Sequence, residues 1–187
     1  MKNKHLELHK LLTDQKIDIV LITETWLSPG DTLRLPGYDV HRKDRENTDG
    51  TTHRGGVLIA THNSITIEHT PQPQTDTIEA LTVKTKTTPG FCIGAAYAPP
   101  TNRITQADMD QLIHTSNTKY YLIGGDFNGK HQLWNNIKKN ANGMVIKKHA
   151  DTENYQIIHS PTYSYRQPHC APSNIDIFLT NLPYSSP

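Results

Sequence analysis

The sequence predicts an α+β fold in which short strands outnumber helices, and three observations carry that expectation. Apolar runs rich in Val, Ile, Leu, Tyr and Ala recur along the chain, each closed by Gly, Pro, Asn or Asp, the mark of strands between turns. Helical spacing of apolar residues is confined to a few stretches between those runs. At 187 residues, with no repeat at a fixed period and no linker, the chain suits one domain with a real core. The pattern fits an α+β domain or a sandwich of sheets covered by helices.

Taken in order, residues 4–15 carry Leu8, Leu11 and Leu12 at helical spacing, which predicts a short amphipathic helix with that stripe inward. Residues 17–24 read as a strand whose near-continuous apolar run implies burial on both faces. Alternation puts Glu24 on the face of Val20 and Ile22. Trp26, Pro29 and Gly30 mark a loop. Residues 31–54 are polar and charge-balanced, with Arg34, Arg42, Lys43, Arg45 and Arg54 against Asp31, Asp39, Asp44, Glu46 and Asp49. They predict a short strand at 38–41 followed by a surface loop. Strands follow at 55–61, at 78–86 with Leu81 and Val83 on one face, and at 91–97, ended by Pro99 and Pro100, since proline cannot continue a ladder.

Thr105 and Asp108 have the spacing of a capping box, opening a helix that turns Met109, Leu112 and Ile113 inward. Residues 120–123 form the next strand, which stops at Gly124 and Gly125 and presents Asp126 and Asn128 on a tight turn. By themselves these residues read as ordinary turn formers. A further helix is expected from about 142 to 154, then strands at 156–159, around Tyr163 and Tyr165, and at 175–180.

Net charge is +1, so the total does not describe a strongly basic nucleic-acid binder, but charge is unevenly spread. Residues 127–150 hold Lys130, Lys138, Lys139, Lys147 and Lys148, with His131 and His149, and no acid. That is either a solvated face or a phosphate-attracting one. Cys92 and Cys170 suit free thiols of an intracellular protein rather than a disulfide framework. His169 beside Cys170 lacks the spaced ligands of a zinc motif. No secretory leader and no apolar span of membrane length occur, so neither export nor membrane insertion is expected.

Glu24, Tyr97, Asp126, Asn128 and Asp176 share one oddity: each lies at or near the end of an apolar strand. Such a set suits metal-assisted attack on a phosphodiester. Mg²⁺ takes oxygen ligands, often one or two carboxylates with substrate phosphate and water. A second carboxylate can orient or deprotonate the water. Amide and phenol donors can hold the phosphate as its charge develops.

Four blocks, TETW at 23–26, YAPP at 97–100, GDFN at 125–128 and NIDIF at 174–178, stand in the order found in the endonuclease/exonuclease/phosphatase superfamily. With GDFNGKHQLW at 125–134, SPTYSY at 160–165 and RGGVLIA at 54–60, the chain most resembles the apurinic-endonuclease-like domains of jockey-type non-LTR retrotransposons. The resemblance implies a four-layer α/β sandwich, two packed mixed sheets flanked by helices. It implies that Glu24 binds Mg²⁺ or Mn²⁺, that Asp126 positions and activates water, that Asn128 and Tyr97 contact the scissile phosphate, and that Asp176 orients a histidine. It implies a domain that nicks DNA to prime reverse transcription, nuclear if part of an active element; a monomer is expected. The five lysines are expected to face the DNA backbone.

Two family blocks are missing: a first strand bearing an asparagine, and a Ser-Asp-His block at the end. The expectation is therefore one domain over 1–187, incomplete at both termini and lacking the family's first and last strands. Unpaired sheet edges, an exposed core margin and weak or absent activity would follow. A partial gene model, a decayed copy or a fragment of a larger reading frame would all look like this. The rival readings are a non-catalytic remnant that binds nucleic acid, and a phosphatase or phosphodiesterase of the same superfamily acting on another substrate.

Overall fold

Alternation along the strands sorts the apolar residues into three cores, and these are the interfaces of a four-layer stack. The computed structural model describes residues 4–45, 54–168 and 171–183; Glu46, Asp49, His169 and Cys170 lie outside the described residues. Helix α1 (His5–Asp14) covers a sheet of order β1-β3-β2, made of β1 (Ile19–Thr23), β2 (Tyr38–Lys43) and β3 (Val57–His62). Leu12, Leu27, Leu35, Leu58 and Ala60 fill that outer core, with Leu8, Val20 and Ile22 packed against it. On the other face, Val57 and Ile59 meet Val83, Ile93, Ala95 and Tyr97 between the two sheets.

The second sheet contains β4 (Ile67–Glu68), β5 (Glu79–Thr85), β6 (Phe91–Tyr97), β7 (Tyr120–Asp126), β8 (Gln156–His159) and β9 (Asp176–Thr180), in the order β4-β5-β6-β7-β9-β8. Strands β6 and β7 are parallel, joined through α2 (Gln106–His114), and the other pairs are antiparallel. Its far face, with Cys92, Ala96, Ile123, Ile177 and Leu179, packs against Met109, Leu112 and Ile113 of α2 and Ile146 and Ala150 of α3 (Ala141–Glu153). The four-layer α+β architecture is therefore as expected. The larger sheet is mixed, and the described strands of the smaller one are antiparallel.

Local expectations hold with instructive exceptions. The capping box is present: Thr105 accepts from the Asp108 N–H at 3.1 Å and Asp108 accepts from the Thr105 N–H at 3.0 Å. Asp108 also accepts the N–H of Asp76 at 2.9 Å, fixing the loop that leads into β5. In α1, Leu8 and Leu12 point inward, but Leu11 is 52% exposed, because a single helix over a sheet buries a narrower stripe than three leucines span. Tyr163 and Tyr165 form no strand; Tyr165 makes an isolated bridge to Ser173. The polar stretch contributes Leu35 to the outer core, the loop before it contributes Leu27, and β2 runs two residues beyond the expected 38–41. Cys92 is a buried free thiol. No helix of the described residues is long and apolar enough to cross a membrane.

The largest departure is in β7, which does not stop at its glycines but runs through both to Asp126. A Cβ on Gly125 (φ +154°) would lie 1.8 Å from the Ala96 carbonyl oxygen, so the close approach of β6 and β7 demands glycine there. Carrying the strand past this point sets Asp126 beside Tyr97. Gly125→Ala is expected to cost at least about 2 kcal/mol, or to prevent folding. Gly30→Ala, with nothing within 4 Å of the added carbon, should unfold with the wild type in a thermal melt.

Candidate functional site

Register across the larger sheet assembles the site. Glu79 of β5 is the lateral partner of Tyr97 in β6, Tyr97 of Asp126 in β7, and Asp126 of Asp176 in β9. Neighbouring strands lie about 4.8 Å apart, so four polar residues form one row along the end of the sheet. Asp126 begins a side-chain-closed turn: its Oδ1 accepts the Asn128 N–H at 2.8 Å, and Asn128 takes φ +45°. The Asn128 amide donates to the Ala98 carbonyl at 3.0 Å. Asn140 locks the loop from below, donating to the Asn128 carbonyl at 2.7 Å and accepting the Lys130 N–H at 2.8 Å, while also capping α3 through Gly143. The residues that suggested a turn thus do make one, at the end of a strand.

Glu24 arrives from the smaller sheet. It lies one residue past β1 at φ +53°, and Trp26 follows at φ +55°. The left-handed residue breaks the alternation that would have put Glu24 with Val20 and Ile22. Its carboxylate turns instead to the inter-sheet side, where Oε1 accepts the Tyr97 hydroxyl at 2.6 Å. Non-glycine residues at positive φ are uncommon and costly, and Glu24, Trp26 and Asn128 all stand at this end of the sandwich.

Burial pushes the Asp126 carboxyl up to about 7; the Asn128 N–H works against this, and the charges of Asp176 and Glu24 add to it. The Tyr97 hydroxyl is pushed well above the usual phenol range by burial, by its bond to Glu24, and by the charges of Glu24 and Asp126, with Arg45 opposing. It therefore remains a proton donor at neutral pH.

Glu24, Tyr97, Asp126, Asn128 and Lys130 line a cavity of about 490 Å³, together with Tyr165 and Gln167. Its donors are hard oxygens, and exposed Glu24 leaves coordination positions to water, which is how Mg²⁺ is commonly held. Asp176 does not line the cavity; it is exposed, next to Asp126 in the sheet. No histidine among the described residues lines the cavity. His131 is buried, caps the 3₁₀ turn Gln132–Trp134 and stacks near Trp134. His149 is buried between Asp110 and Tyr155, and His159 bonds its neighbour's carbonyl. The basic segment is accordingly smaller than its composition: Lys130 is at the cavity, Lys138, Lys139 and Lys148 are exposed, and Lys147 pairs with Asp151.

Sequence reasoning missed Glu79 and treated Arg45 as one charge in a balanced stretch. Glu79 has the parity of Leu81 and Val83, so an acid on an apolar face was the available signal. A separate exposed set, Asp110, His114 and Glu153, lies on α2 and α3 rather than at this end of the sheets.

The family profile described as the Endonuclease/Exonuclease/phosphatase family matches residues 1–183. The chain is 31% identical over 180 residues to the RNA-directed DNA polymerase from mobile element jockey of Drosophila funebris, covering 94% of this chain and 19% of that protein. It is also 31% identical over 169 residues to the probable RNA-directed DNA polymerase from transposon BS of Drosophila melanogaster, covering 87% of this chain and 18% of the relative. It thus spans about a fifth of the length of the curated relatives it matches. Among solved structures, the endonuclease domain of TRAS1, a telomere-specific non-LTR retrotransposon, superposes with a TM-score of 0.74 at 20% identity, over 96% of this chain and 80% of that one. An AP endonuclease from Archaeoglobus fulgidus gives 0.59 at 15% identity, over 94% and 80%. Both show a shared fold.

A raised carboxyl pKa carries a stability consequence. Between its unfolded value near 3.8 and about 7, the folded protein binds the Asp126 proton more tightly, so this group's contribution falls as pH rises through that window. The penalty is fully present above pH 7. Asp126→Asn should therefore raise the melting temperature of metal-free protein at pH 8, by roughly 2–4 °C per kcal/mol relieved. At pH 4 the gain should vanish, as calorimetry at the two pH values would show.

Proposed function

The chain belongs to the endonuclease/exonuclease/phosphatase family, and from that premise we propose that it is the DNA-nicking endonuclease domain of a non-LTR retrotransposon, hydrolysing phosphodiesters with a divalent metal. The observation that carries this reading is the pairing of Tyr97 with Asp126 in register, with the Glu24 carboxylate bonded to Tyr97 beside them. Glu24 would hold Mg²⁺ or Mn²⁺. When bound, the ion polarises a phosphoryl oxygen and offsets developing negative charge.

The protein's own groups then divide the work. Asp126, poised near 7 without metal, orients the attacking water and takes its proton; a base titrating near the working pH serves that role best. Asn128 uses one amide hydrogen on Ala98, which leaves the second for a phosphate oxygen. Tyr97 has a single hydroxyl proton, directed at Glu24. In this geometry it orients the carboxylate, and contact with phosphate requires that proton to turn toward substrate. Asp176 adds negative charge beside Asp126, and in this reading it would orient a histidine; His159 stands opposite its neighbour Ile177 but bonds the Ser160 carbonyl. Lys130 at the cavity and exposed Lys138, Lys139 and Lys148 extend a cationic path for the DNA backbone, with Lys147 tied to Asp151 at its margin.

Among the described residues no histidine lines the cavity, and this favours a second reading, a chain that binds nucleic acid without cutting it. Incubating the 187-residue polypeptide with supercoiled plasmid and Mg²⁺ or Mn²⁺ separates the two. Slow nicking is expected, abolished by chelator and reduced at least about 100-fold by Asp126→Ala or Glu24→Gln. Salt-sensitive DNA binding with no metal-dependent cleavage would establish the second reading. Turnover of a soluble phosphate ester without plasmid nicking would point to a phosphatase.

A further inference from the structure

Glu79 uses both carboxylate oxygens, and each bond reaches across to the smaller sheet. Oε1 accepts from the Arg45 Nε–H, just past β2, and Oε2 accepts the Gly56 N–H at 2.6 Å, just before β3. Gly56 and Gly55 pass that anchorage on: their carbonyls accept the N–H groups of Thr25 at 3.2 Å and Trp26 at 3.0 Å. Those two residues directly follow Glu24, whose carboxylate returns to Tyr97, and Tyr97 is the lateral partner of Glu79. The bonds close a ring: Glu79, Gly56, Thr25, Glu24, Tyr97 and back to Glu79.

Arg45 completes it. Its guanidinium stands 5.8 Å from the centre of the Tyr97 ring, a cation–π contact. A Cβ on Gly55 (φ +81°) would fall 2.7 Å from that guanidinium, so glycine is what lets Arg45 close over the turn. Left-handed Glu24 and Trp26 persist only where their surroundings over-determine them, and this ring supplies that constraint.

We propose that Glu79, clamped by Arg45, is a positioning residue that sets the Glu24 carboxylate and the Tyr97 hydroxyl in the site. With both oxygens occupied by protein donors, it is neither a metal ligand nor a base. The assignment rests on Glu24 being the metal-holding residue, and two readouts keep the claims apart. One is Mn²⁺ affinity, followed by electron paramagnetic resonance of the free ion, with no turnover needed. The other is acrylamide quenching of tryptophan: of the two tryptophans, Trp134 is fully buried and Trp26 is 50% exposed, so quenching reports the Glu24 loop.

Glu79→Ala should weaken Mn²⁺ binding about tenfold, the usual scale for losing a group that orients a ligand, and should raise quenching of Trp26. Glu79→Gln keeps one acceptor oxygen and should fall between wild type and Glu79→Ala in both; if the alanine variant does not fold, it decides the matter alone against wild type. Wild-type affinity and quenching in the Glu79 variants, with binding abolished in Glu24→Gln, would overturn the clamp while leaving the metal reading intact. If wild type itself binds no Mn²⁺, the proposed metal site fails, and Trp26 quenching by itself decides whether Glu79 orders the loop.

Discussion

The hydrogen bond from Tyr97 to Glu24 turns two strand ends in different sheets into one site. Everything near it serves that contact. The core between the sheets, from Val57 and Ile59 to Ile93 and Ala95, fixes the distance at which a tyrosine on one sheet meets a carboxylate from the other. The left-handed turn after β1 aims Glu24 inward, and the ladder from Glu79 through Asp176 sets Tyr97 next to Asp126. Without the bond, Glu24 would be an exposed acid with no tie to the larger sheet, and Tyr97 a buried phenol lacking a partner.

Holding Asp126 in this row is unfavourable for an ionised carboxylate, and the fold accepts the cost. Burial and two neighbouring acids raise its pKa to about 7, against a single compensating N–H from Asn128. Three non-glycine residues at positive φ add strain at the same end. Unfavourable charge of this kind, at a cavity beside strained backbone, is what the proposed chemical role would require. The glycine-permitted approach of β6 and β7 at Ala96 and Gly125 makes that crowding possible.

Much of this was legible because local chemistry announces itself. The sequence GDFN shows a strand end and a side-chain-closed turn; the capping box at Thr105 and Asp108 follows from spacing; the order of four blocks points to the family. What stayed hidden depends on tertiary partners. That Glu24 leaves the face of Val20 and Ile22 follows from a positive φ that glutamate does not advertise. Arg45 reads as an ordinary charge and Glu79 goes unremarked because their meaning lies in bonds between sheets. Gly124 and Gly125 read as a stop, yet the same lack of a side chain lets the strand continue where β6 presses close. His131 and His149 belong by composition to a basic segment, but both are buried in hydrogen-bonded positions.

We propose that this end of the sheets holds a divalent cation at Glu24, facing Asp126. Crystals soaked in Mn²⁺ and measured at the manganese absorption edge test it directly. An anomalous peak is expected in ligating contact with a Glu24 oxygen, inside the cavity bounded by Tyr97, Asp126 and Asn128. A peak confined to Asp110, His114 and Glu153 on the outer helices, or none at Glu24, would contradict it.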